Sequence, residues 1–164
     1  MIHAQTESDI ATLLRQANQA RERLLLAIGP NGSGKTAWLR NLAESEGLSY
    51  LSLGAPLSRA LGDLSPRQRP LSVARMLDTL LPAAGVGICL DNTDLLFTPE
   101  LQCDPLRLVA QLSQHRLVVA AVTGTLAGRR LTRAYPDHPE YLSIELSGVT
   151  VASFATGIPT FFQT

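Results

Sequence analysis

The chain has 164 residues, 14 basic and 14 acidic, so its formal net charge is zero. Hydrophobic residues make up 45% and charged residues 17%, enough apolar material for one buried core and too little charge for a disordered chain. A balanced charge exerts no general pull on a phosphate backbone, so direct nucleic-acid binding in isolation is not expected.

The longest clean apolar run, 117–122, is too short to span a bilayer. The first residues lack a charged n-region and an apolar h-region, so no membrane segment or secretory signal is expected and the cytoplasm is the expected location. Cys89 and Cys103 fall outside any C-x-x-C spacing, which suits two reduced thiols. Thirteen of the fourteen basic residues are Arg, and the one Lys is Lys35.

In chain order, Thr6 to Asp9 have the pattern of a capping box, followed by Ile10, Leu13, Leu14 and Ala17 at helical spacing, an N-terminal helix within 1–23. Residues 24–28 are a continuous apolar run ending at Gly29-Pro30, as in a strand buried on both faces. Residues 36–46 predict a helix with Leu39, Leu42 and Ala43 inward and Gly47 as its stop. Residues 48–53 alternate as a second strand, and 56–81 predict two helical pieces broken at Ser65-Pro66. Residues 86–90 predict a third strand ending at Asp91. Asp104-Pro105 starts a helix to about Gln114, residues 117–122 form a fourth strand, and 141–146 a fifth. Strands alternating with helices predict a parallel sheet covered on both faces.

Gly29-Pro30-Asn31-Gly32-Ser33-Gly34-Lys35-Thr36 fits G-x-x-x-x-G-K-[ST] at every required position. A triphosphate needs many donors converging on a small volume, and glycines let backbone N–H groups turn inward. The helix that follows adds its free amides, those of Lys35, Thr36 and Ala37, and the positive end of its dipole. Lys35 reaches toward the β- and γ-phosphates and the Thr36 hydroxyl toward Mg²⁺. A chance match in a chain this long occurs about once in two hundred, and here a predicted strand enters the loop and a predicted helix leaves it. The sequence therefore predicts a single domain over 1–164 with a three-layer α/β fold of the P-loop NTPase type, a mostly parallel five-stranded sheet and no C-terminal helical lid, binding ATP and Mg²⁺.

Asp91 ends an apolar strand, where a carboxylate supports the Mg²⁺ shell; the alternative is that it caps the next turn. The next residue is Asn92, where ATPases with an extra strand between the loop strand and the acidic strand commonly have Glu. Asn92 can hold a water but cannot accept its proton. Asp94 either takes that role or is an ordinary turn carboxylate. Thr123 ends the fourth strand, either sensing the γ-phosphate or merely closing the strand. Arg129, Arg130 and Arg133 read as a solvated surface loop or as arginines acting on a neighbouring subunit's nucleotide. His3, His115 and His138 have no spacing for metal or catalysis.

A guanine-reading N-K-x-D motif would need a second lysine, and no L-S-G-G-Q signature is present, so a GTPase and a transport-type cassette are not expected. About eighteen residues follow the fifth predicted strand, too few for a helical lid. They hold Phe154, Phe161 and Phe162, three of the four phenylalanines; such a tail over 149–164 folds back on the core or anchors an interface, a homo-oligomer included.

The string from Pro56 to Arg69, Leu90-Asp-Asn-Thr-Asp-Leu-Leu-Phe97, Asp104-Pro-Leu-Arg-Leu108 and His138-Pro-Glu-Tyr141 resemble the small P-loop proteins of type III BREX (bacteriophage exclusion) systems, the BrxF family. The resemblance runs from about residue 8 to 148. It implies a bacterial anti-phage defence component working beside a larger ATPase, a DNA methyltransferase, a helicase and a phosphatase-like protein. It also implies that the Asp91-Asn92 pair is the family's own form. The leading expectation is an ATP–Mg²⁺-binding subunit with slow or partner-stimulated hydrolysis. Lys35, Asp91, Asn92 and Thr123 would be its catalytic set, residues 29–37 its nucleotide loop, and Thr36 and Asp91 its metal contacts. The alternatives are a small-molecule kinase, with Arg59, Arg129 and Arg130 holding an anionic acceptor, and an adaptor in which nucleotide only stabilises the fold.

Overall fold

A run such as Leu24-Leu-Leu-Ala-Ile28 has no polar face, so as a strand it must be covered on both sides. In the computed structural model, which describes residues 7–83, 85–157 and 159–164, that run is β1 (Leu24–Gly29), buried along its whole length. It follows α1 (Glu7–Gln19). The Thr6 end of the expected capping box and His3 lie outside the described residues. After β1 come α2 (Lys35–Glu46), with Leu39, Leu42 and Ala43 buried and Gly47 closing it, and then β2 (Ser49–Ser52). The 56–81 stretch divides as its proline pattern predicts, into α3 (Gly54–Gly62) and α4 (Arg69–Leu80), with Pro70 in the first turn of α4.

Strand β3 (Gly87–Asp91) leads into short 3-10 turns at Thr93–Phe97 and Pro99–Leu101. Helix α5 (Pro105–Leu112) is capped by Asp104, whose Oδ1 accepts from the Arg107 N–H at 3.1 Å. Strand β4 (Leu117–Thr123) then runs parallel to both β3 and β1.

The sheet differs from the expected five strands in one instructive respect. Residues 141–146 do not join it. They form β7 (Leu142–Glu145), which pairs with β6 (Arg130–Arg133) and, through it, β5 (Thr125–Ala127) in a separate three-stranded antiparallel sheet. The fifth parallel strand is β8 (Thr150–Ser153), beside β1, and β9 (Thr160–Gln163) runs antiparallel to it at the edge. The order is β2-β3-β4-β1-β8-β9, an α/β fold on a mixed, mostly parallel six-stranded sheet. The reason lies in the side chains: Ser143 and Glu145 need a strand with a wet face, whereas Thr150-Val-Ala-Ser153 is small and β-branched enough to be buried throughout. The connection from β4 to β8 is thus a small sheet in place of a helix.

Two apolar layers sandwich the large sheet. On one side Leu25, Ala27, Cys89, Val119 and Ala121 meet α1 and α2; on the other Leu26, Ile28, Leu90 and Val122 meet α3, α4, α5 and the inner face of the small sheet. Phe154 and Phe161 are fully buried against α2, their rings 5.4 and 6.0 Å from the Trp38 ring. The segment expected as a tail is therefore folded back as part of the core. Among the described residues no helix is long and apolar enough to cross a membrane.

Candidate functional site

Because β1, β3 and β4 are parallel, their carboxyl ends open on the same edge of the sheet, where the next connection leaves each strand. The register sets Gly29 opposite Thr123, and Ser52 of β2 opposite Asp91. A cleft of about 580 Å³ lies there, lined by residues 31–37 and by Asp91, Asn92, Asp94 and Thr123. Of the residues expected at the site, only Gly29 and Pro30 stay off the lining; they act from behind it, through their carbonyls.

The loop has this course because its glycines permit it. Gly32 and Gly34 take φ of 74° and 94°, a region that a Cβ disfavours. Gly29 is required for a steric reason: a Cβ there would stand 2.7 Å from both Phe154 Cβ and Ser33 Oγ. Helix α2 then opens without a side-chain cap, and its first internal bond runs from the Trp38 N–H to the Gly34 carbonyl. The amides of Lys35, Thr36 and Ala37 consequently have no acceptor inside the helix and stand at its positive end.

Lys35 is 8% exposed and bends back over the loop, donating to the carbonyls of Gly29 and Pro30 at 2.7 Å each and to Ser33 Oγ at 3.3 Å. It braces the loop and sets a positive charge at its centre. Burial pushes the Lys35 ammonium below the ordinary lysine value, against the raising influence of Asp94 and then Asp91. A polyanion bound beside it would favour the charged form, and with the burial itself this leads to three expected results. Affinity for a polyphosphate falls as pH rises through the lowered value, at a pH where ordinary lysines are still charged. On that alkaline limb, binding takes up a proton, measurable as a buffer-dependent heat. The unfolded chain binds this proton more tightly than the folded one, so Lys35 makes stability rise with pH across the same window. Because Lys35 is the one lysine, its side-chain ¹⁵N resonance reports the titration without ambiguity.

Asp91 is 3% exposed and both its oxygens are engaged: Oδ1 accepts from the Asn92 N–H and Oδ2 from the Tyr50 hydroxyl, each at 2.8 Å. Burial raises the Tyr50 hydroxyl above the ordinary phenol value and keeps it a donor, with Arg40 above its ring at 5.2 Å. Asn92, left-handed at φ 51°, turns its amide to Ser52 Oγ at 2.6 Å. Thr123 Oγ1 donates to Asn31 Oδ1 at 3.4 Å, tying the end of β4 to the loop. Tyr50 was not legible as a site residue, because only the β2–β3 register brings its hydroxyl to Asp91.

The donor set suits a polyphosphate: open amides, one ammonium and a helix N-terminus. The Thr36 hydroxyl and the Asp91 carboxylate border the same cleft and are oxygen ligands of the kind Mg²⁺ takes. Among the described residues no group of three or more His, Cys, Asp or Glu side chains gathers to hold a metal. A Mg²⁺ here would complete its shell with water and phosphate oxygens.

The arginine cluster divides. Arg129 and Arg130 pair with Glu145 at 2.8 and 3.8 Å on the exposed face of the small sheet, where such pairs contribute little. Arg133 is buried beneath it instead. Cys89 is buried with its thiol pushed up to about 12, which leaves it unreactive, and Cys103 donates to the Leu96 carbonyl at 3.4 Å. Set beside family models, curated proteins and solved structures, the chain matches none of them.

Proposed function

We propose that this chain binds ATP with Mg²⁺ in the cleft at the end of β1, as a P-loop NTPase, and works as a slow or partner-stimulated ATPase subunit of a bacterial anti-phage defence complex. The observation that carries the binding reading is the convergence of Lys35, the open α2 amides and Asp91 on one cleft. The strand order adds support. β4 separates the acidic strand β3 from the loop strand β1, the arrangement of ATPases with an extra strand between the two. The defence setting rests on the sequence resemblance to the BREX proteins.

In this reading the loop amides and Lys35 hold the β- and γ-phosphates, Thr36 and Asp91 border the metal, and Thr123 stands at the γ-phosphate end. Bound Mg²⁺ would neutralise charge on the phosphates. The kinase alternative has less support, because residues 124–146 form a paired sheet whose exposed arginines are engaged with Glu145. A mobile arginine-rich lid that excludes water is what a kinase would need there. Calorimetric titration of the wild-type chain with ATP tests the reading: saturable binding that strengthens when Mg²⁺ replaces EDTA is expected, and no heat of binding in either condition overturns it.

A further inference from the structure

Asn92 offers no proton-accepting atom, so the ATPase reading leaves the attacking water without a base. Asp94 supplies a carboxylate at the same cleft. It lies three residues beyond Asp91, in the turn Thr93–Phe97, and its field acts on Lys35 more strongly than that of Asp91. Its Oδ1 accepts from Arg133 Nη1 at 2.7 Å, whereas its Oδ2 accepts from no described residue, and the side chain is 51% exposed.

Arg133 is fixed from several sides. Nη1 also donates to the Thr123 carbonyl at 3.0 Å, Nη2 donates to Glu140 Oε2 at 3.1 Å, and the guanidinium sits 4.5 Å above the Phe97 ring. Its buried Nε has no hydrogen-bond partner among the described residues, a cost that these other contacts offset. One guanidinium shared between two carboxylates leaves a net negative charge. Asp94 is therefore oriented by Arg133 without being fully neutralised by it, and its free oxygen belongs to a residue that borders the cleft.

We propose that Asp94, oriented by Arg133, is the carboxylate that holds and deprotonates the attacking water; this rests on the ATP-binding reading above. The water oxygen bonds to the γ-phosphorus while the bond from that phosphorus to the β–γ bridging oxygen breaks. ADP departs with that oxygen and its electron pair. The proton shed by the water moves to Asp94 Oδ2 and passes on to the released phosphate. Asp94 is the catalytic residue and Arg133 a positioning residue, since it acts through Asp94.

The test uses the full chain, with ATP affinity measured first. Asp94→Asn is expected to lower phosphate release by about 100-fold or more, to change ATP affinity less than threefold, and to weaken binding of ADP with aluminium fluoride at least tenfold. Arg133→Gln is expected to lower release about tenfold, with Arg133→Lys recovering part of the loss at unchanged ATP affinity. If the wild type releases no phosphate by itself, the aluminium fluoride comparison decides alone. Equal affinity of wild type and Asp94→Asn for that complex, or an equal loss toward ATP and the complex, overturns the proposal. If Asp94→Asn does not fold, Arg133→Gln decides: unchanged release and unchanged binding of the complex overturn it. Failure of the wild type to bind ATP, seen in the first measurement, is instead the failure of the underlying reading.

Discussion

Lys35→Ala is expected to bind ATP roughly 100-fold more weakly than the wild type, about 3 kcal/mol, when both are titrated calorimetrically with Mg²⁺ present. Charge-assisted hydrogen bonds to phosphate are among the strongest a side chain makes, and the next cations do not replace this one. The chain has no second lysine, and Arg40, the cation nearest along α2, lies over the Tyr50 ring. Lys35 also donates to the Gly29 and Pro30 carbonyls, so part of the loss arises from a loop that is less well held. Lys35→Arg tests whether the positive charge alone suffices. A guanidinium keeps the charge but is a planar fork in place of a compact ammonium, and at a site 8% exposed it cannot follow the same path over the loop. Weak binding by both variants, with unfolding midpoints close to wild type, is the expected result. Undiminished binding by Lys35→Ala would remove the lysine from the site.

The second large effect is on stability. Phe161→Ala is expected to cost about 3–5 kcal/mol and lower the thermal midpoint by roughly 6–20 °C, measured by calorimetry or circular dichroism. Phe161 has no exposed surface, stands on the edge strand β9, and packs with Phe154 around Trp38 of α2. Removing the ring leaves a void between the sheet and the helix that begins at the glycine-rich loop. Phe162, one residue on, faces the other side of the sheet and is only partly buried, so Phe162→Ala serves as the control with a smaller expected loss. A Phe161→Ala protein as stable as the wild type would mean that β9 is not part of the folded core.

The contrast between those two sites reflects what a sequence can carry. The course of the loop is legible because its requirement is local: a tight passage from strand to helix needs glycines at fixed spacing along the chain, and Gly32 and Gly34 take the left-handed turns there. The strands β1, β3 and β4, the helix α2 and its stop at Gly47, and the cap at Asp104 are legible for the same reason, since each is set by residues within a few positions of one another. Asp91 is a middle case. Its place at the end of an apolar strand could be read, but its partners could not, because the Tyr50 hydroxyl meets it only through a pairing 41 residues apart in sequence.

The segment from Thr125 to the C-terminus is where local signals gave out. Tyr141 to Leu146 and Val149 to Ser153 are both short and rich in β-formers, and nothing local states which belongs beside β1. Burial on both faces settles it: the site next to β1 excludes Glu145 and accepts Thr150-Val-Ala-Ser153. Arg133 shows the same limit from the polar side. Among three arginines within five residues, two remain in solvent, while the third is enclosed by Asp94, Glu140, Thr123 and Phe97, drawn from three other parts of the chain. By itself, then, the amino-acid sequence determined an α/β chain with a glycine-rich loop between a buried strand and a helix. Only the tertiary structure decided the order of the strands, the second sheet and the company of Asp94, because those depend on which distant groups can share a dry interior without leaving a charge or a strand edge unsatisfied.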